Sequence, residues 1–78
     1  MKIGVKIMPK KEVLDTQGRA VELTLRQNGM SISACQVGKF VIVDLPTDDE
    51  VLALSQAKEM AEFVLCNALI ETFEVTKL

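Results

Sequence analysis

Residues Phe40 to Leu45 read Phe-Val-Ile-Val-Asp-Leu, so that Phe40 and Ile42 point one way along an extended strand while Val41, Val43 and Leu45 point the other. A strand that is apolar on both sides needs cover on both faces of its sheet. A chain of 78 residues has interior for a single domain, spanning 1–78, because short chains bury a small share of their surface. It can cover one face from its own material. The other face is left to a second molecule, which makes a homodimer or a higher homo-oligomer the first expectation.

The rest of the chain supplies the other elements. Lys2 to Met8 alternates Ile3, Val5 and Ile7 with Lys2, Gly4 and Lys6, the period of a strand with one buried face. Pro9-Lys10-Lys11 interrupts it, and Asp15 is placed to cap a helix reaching about Asn28, where Gly29 supplies a left-handed stop. Ala20, Val21, Thr24, Leu25 and Asn28 share one face of that helix. A second strand is predicted over Ile32 to Gln36, joined to Phe40–Leu45 through a tight Val37-Gly38-Lys39 hairpin. After Pro46, Thr47-Asp48-Asp49-Glu50 has the spacing of a reciprocal capping box. The helix it opens carries a predicted core stripe of Val51, Leu54, Ala57, Ala61, Val64 and Leu65, ends at Asn67, and leads to a last strand from Ile70 to about Thr76. The order is β-α-β-β-α-β. This predicts an α+β fold, an antiparallel sheet with two helices packed on one face. In the second helix Leu52 and Phe63 fall nearly in line and off the predicted stripe, which marks them, with Gln56, as a candidate contact patch.

Several chemistries find no support. Nine Lys plus Arg against eleven Asp plus Glu gives a net charge of −2, without the basic excess that binding a phosphate backbone demands. Three Phe and no Tyr or Trp leave little to stack on RNA bases. Gly38-Lys39 is no phosphate loop, since Ser33 and Phe40 stand where that motif needs Gly and a hydroxyl residue. Cys35 and Cys66 lie far apart with no His to complete a zinc site, and read as packing residues. Asp48, Asp49 and Glu50 suit a helix start, and Glu71 and Glu74 suit a strand edge, better than either suits acid–base work. Lys6, Lys10 and Lys11 read as solvated surface, with docking to an acidic partner as the lesser reading. The first residues lack a long apolar run, and no segment approaches a membrane span, so a cytoplasmic location is expected.

Three blocks carry a family likeness: Val13-Leu14-Asp15-Thr16-Gln17-Gly18-Arg19-Ala20-Val21, then Val37-Gly38-Lys39-Phe40, then Ala68-Leu69-Ile70-Glu71-Thr72-Phe73-Glu74-Val75. In sequence and spacing they resemble PurS, the small subunit of phosphoribosylformylglycinamidine synthase, over nearly the whole chain. The likeness implies a non-catalytic subunit of a glutamine-dependent, ATP-consuming ligase complex of purine biosynthesis. A dimer of the small subunit would bridge a glutaminase and a large synthetase and assist ammonia transfer. It implies no cofactor in this chain, with ATP and magnesium held by the synthetase partner.

Asp15, Gln17, Gly18, Gly38, Lys39 and Phe40 stand in the matching blocks and are expected to be structural or interfacial. Thr16 replaces the Pro the family often has there, and Asn67-Ala68 replaces its frequent Asn-Pro; the assignment stands because Thr16 can occupy the first helical turn and a helix can stop at Asn67 without Pro. The alternative reading is a small-molecule-binding regulatory domain with the same element order. It wants a richer glycine or polar loop than Met8-Pro9-Lys10-Lys11-Glu12.

Overall fold

A computed structural model describes all 78 residues. The elements are β1 (Lys2–Pro9), α1 (Thr16–Gln27), β2 (Lys39–Asp44), α2 (Glu50–Met60), a π-helical turn (Ala61–Leu65) and β3 (Glu71–Lys77). The three strands form one sheet in the order β2-β1-β3, antiparallel throughout. Val5 sits opposite Val41 on one side and Val75 on the other. That central position explains why Ile3, Val5 and Ile7 are fully buried. Each such side chain, taken out of water, contributes about 1.5–3 kcal/mol.

The predicted α+β class with an antiparallel sheet stands, and its core is made by one helix. α2 and its π turn lie against β1 and β3 through Ala53, Ala57 and Ala61, all fully buried. Residues four apart stack on one helical face, and three alanines there let the helix approach the branched side chains of β1 closely. Ala53 and Ala57 cluster with Ile3 and Leu45, and Ala61 with Val5, Ile7 and Cys66. The predicted stripe is therefore turned. Leu54 and Leu65 pack at its margin, but Val51 is 79% and Val64 72% exposed. Close approach favours the alanine row over the larger residues beside it, and the wider π turn rotates Phe63 and Val64 outward.

Other expectations are corrected at the element ends. Asp49, not Thr47, is the N-cap of α2: its carboxylate accepts from Leu52 N–H at 3.3 Å, while Thr47 Oγ1 accepts from Asp49 N–H at 3.1 Å. The predicted Thr47–Glu50 box is thus replaced by an Asp cap two residues further in. The helix stops at Leu65, short of Asn67, and Asn67 instead opens the turn into β3, its side chain accepting from Leu69 N–H. Asp15 caps α1 as predicted, and Gly29 takes φ 78° just past its end.

The larger difference lies between residues 10 and 38. Ile32 to Gln36 forms no strand, and Val37-Gly38-Lys39 is no hairpin turn. The backbone here is engaged by a side chain in place of a strand: Arg26 donates to the carbonyls of Ile32, at 3.2 and 3.0 Å, and of Ser33, at 3.2 Å. α1 makes no extensive contact with the sheet, and Gly18 is its one buried residue. The helix and its return segment form an arm standing off the body. The radius of gyration is 15.6 Å, against about 11.5 Å for a compact chain of this length. Principal extents of 48 × 24 × 14 Å give the same picture.

Candidate functional site

The arm is built from its base outward. Asp15 ends the loop after β1 and uses both carboxylate oxygens: Oδ1 accepts from Gly18 N–H at 2.8 Å and Oδ2 from Val37 N–H at 2.9 Å. These donors, Gly18 first, hold the Asp15 carboxyl below its ordinary range against a small opposing effect of burial. Gly18 is needed here for space. A Cβ on it would lie 2.5 Å from Asp15 Oδ2 and 2.5 Å from the Cys35 carbonyl oxygen, so only glycine lets the return segment lie against the helix start. Gly38 is similar, since a Cβ there would strike the Ile7 carbonyl. At the far end Arg26 links the Ile32 and Ser33 carbonyls and pairs with Glu22 at 2.9 Å, one helical turn away.

Two apolar surfaces are left open by this arrangement. On α1, Ala20, Val21, Thr24 and Leu25 line a shallow depression of about 250 Å³. These are four of the five residues predicted to share a face, and α1 makes no extensive contact with any other element. The second surface is the side of the sheet away from α2, where Phe40 is 53% and Ile42 57% exposed beside Leu78. Gly4 lies beneath the Phe40 ring, where a Cβ would collide with it. Lys6 and Glu74 pair at 3.1 Å on the same face, next to Phe40 in the strand register. The two-sided apolar pattern of β2 thus has one side half-covered by α2 and the other open.

The candidate residues divide into groups. Asp15 and Gly18 meet at the base of the arm, whereas Gln17 is exposed beside them. Gly38, Lys39 and Phe40 lie where the return segment enters β2; Lys39 crosses to Glu71 at 3.8 Å on the α2 side, and Phe40 takes the open side. Leu52, Gln56 and Phe63 belong to α2 and its π turn, Gln56 half-buried, Leu52 partly exposed and Phe63 89% exposed. Sequence reasoning missed Arg26, for which Glu22 four residues earlier was the available signal, and Ala53.

A groove of about 390 Å³ runs along the arm's base, with Lys10, Lys11, Arg19 and Cys35 among its lining residues. Cys66 sits inside the core, its thiol pushed up by burial and then by Glu71. No group of three or more His, Cys, Asp or Glu side chains comes together as a metal site. No helix is long and apolar enough to cross a membrane.

Comparison with known proteins decides the family. The PurS model, described as phosphoribosylformylglycinamidine (FGAM) synthase, matches residues 2–78. The chain belongs to the PurS family. It is 24% identical over 78 residues to the phosphoribosylformylglycinamidine synthase subunit PurS of Thermotoga maritima, covering 99% of this chain and 95% of that one. The Thermus thermophilus PurS structure superposes with a TM-score of 0.84 at 30% identity, covering 99% and 95% of the two chains. A chain in the structure of PurLQS from Thermotoga maritima superposes with a TM-score of 0.90 at 24% identity, covering 99% and 95%. In this PurS chain the residues that carried the likeness, Asp15, Gly18 and Gly38, are those that fix the arm to the body.

Proposed function

We propose that this chain works as a homodimeric, non-catalytic PurS subunit that joins a glutaminase and a large synthetase in purine biosynthesis and assists passage of ammonia between them. Family membership over residues 2–78 supports the place in FGAM synthase. The PurLQS assembly of Thermotoga maritima supports protein partners. ATP and magnesium belong, on this reading, to the synthetase.

The observation that carries the dimer is the arm, whose row of Ala20, Val21 and Leu25 lines an open depression, with Ala20 and Val21 exposed and Leu25 half-buried. α2 lies over β1 and β3, leaving Val41 and Val43 of β2 half-exposed on the same side of the sheet. A twelve-residue helix spans about 18 Å, enough to lie along such a strand. In the proposed dimer the arm of each copy covers β2 of the other, a self-complementary contact of the kind that two-fold symmetry produces. Phe40 and Ile42, with Leu52, Gln56 and Phe63, remain for further contacts with the larger subunits.

The test is reconstitution. Adding the chain to the glutaminase and synthetase should raise glutamine-dependent turnover far more than turnover on free ammonia. Equal turnover from glutamine with and without it would overturn the bridging role. Purification with a tightly bound small molecule and no protein partner would select the regulatory-domain reading instead.

A further inference from the structure

We infer that Asp15 is a positioning residue for assembly, setting the attitude of the arm towards the sheet. The inference rests on the reading of the arm as the element that reaches a second copy. A helix cap needs one oxygen, accepting a backbone N–H two or three residues on. Asp15 does this with Oδ1 to Gly18 and then spends Oδ2 on Val37, a residue 22 positions away. Val37 is two residues before β2 begins, and Asp15 is the residue before α1 begins. One carboxylate therefore ties together the two points where the arm joins the body.

The surroundings fit a tie of this kind. Gly18 lets the Cys35 carbonyl approach the helix start, and Gly38 lets the next stretch pass over the Ile7 carbonyl. Arg26 binds the Ile32 and Ser33 carbonyls at the other end, so α1 and the return segment move as one piece. With the tip fastened in this way, the remaining freedom is rotation of that piece about its base. The Asp15–Val37 bond opposes this rotation. Holding the arm in its reaching direction lowers the ordering cost of association, which otherwise weakens binding.

The experiment separates capping from positioning. In Asp15→Asn one oxygen still serves Gly18, and Asn caps helices as well as Asp does; the amide nitrogen then meets Val37 N–H, donor against donor. Asp15→Ser keeps a capping oxygen and cannot span both donors. Both are compared with wild type by sedimentation equilibrium. Residual dipolar couplings of the backbone amides are then measured in the full chain carrying Val21→Glu and Leu25→Glu, where an arm has no second copy to rest on.

The expected result is unchanged helical circular dichroism, couplings of α1 that no longer fit the alignment of β1–β3, and a dimer dissociation constant raised at least tenfold. Variants whose α1 still shares the alignment of the sheet and whose dimer is as tight as wild type would overturn the inference. So would loss of the α1 helix itself, which would make Asp15 a cap alone. Failure of the arm reading looks different: the Val21→Glu, Leu25→Glu chain would dimerise like wild type. The couplings would still decide what Asp15 does.

Discussion

Ala53→Leu and Val51→Ser form a pair of substitutions on which hydrophobic patterning and the folded structure disagree. Patterning assigns Val51 to the core stripe and leaves Ala53 out of it. In the structure Ala53 is fully buried among Ile3, Leu45 and Ala57, while Val51 is 79% exposed. Leucine at 53 adds three carbons where the helix already touches the sheet, and such overpacking costs about 1–3 kcal/mol. For a domain of this size each kcal/mol moves the melting temperature by roughly 4–8 °C, so a cost of about 2 kcal/mol lowers it by about 8–16 °C. Serine at 51 stays within about 0.5 kcal/mol of wild type, because it trades one wet side chain for another. Against a total stability of about 4–12 kcal/mol for 78 residues, the first change is severe and the second minor. Urea unfolding followed by far-UV circular dichroism measures both. Two protein concentrations are used, since association adds a concentration-dependent share. A loss above about 1.5 kcal/mol for Val51→Ser, together with an unperturbed Ala53→Leu, would refute the placement of α2.

Three further outcomes are expected. The Asp15 carboxyl is held below its unfolded value of 3.8, so its stabilisation is fully present above that value and is lost as the pH falls through the lower folded one. The protection of α1 amides from exchange should fall below about pH 3.8 in wild type by more than it does in Asp15→Asn; matching profiles would count against the clamp. Cys35, half-buried in the basal groove, should take up a thiol reagent at pH 8 well before Cys66, which is buried and held in its thiol form; mass spectrometry after short exposure reads the order. Phe63→Ser should leave the melting temperature within about 3 °C, given its 89% exposure, while weakening assembly with the larger subunits. A sharp fall in stability with assembly intact would place Phe63 in the core.

The sequence by itself determined the strand of β1, the two helices, the last strand, the Asp15 cap and the left-handed Gly29. Each follows from periodicity or a terminal residue acting within a few positions along the chain. It also determined that β2 would need cover on two sides, since alternation fixes which side chains share a face. Tertiary structure alone decided that α2 serves one side while Phe40 and Ile42 stay open on the other. The alanine row of α2 prevailed over the valines because close approach to Ile3, Val5 and Ile7 depends on small side chains, a property of the pair that neither element's pattern contains. Residues 32–36 have the composition of a strand, yet Arg26 engages their carbonyls and Asp15 the Val37 amide. Those bonds join residues up to 22 positions apart, and no local propensity encodes them. The reach of the arm away from its own sheet was therefore invisible in the sequence, although the residues that fasten it, Asp15, Gly18 and Gly38, were already the ones that stood out.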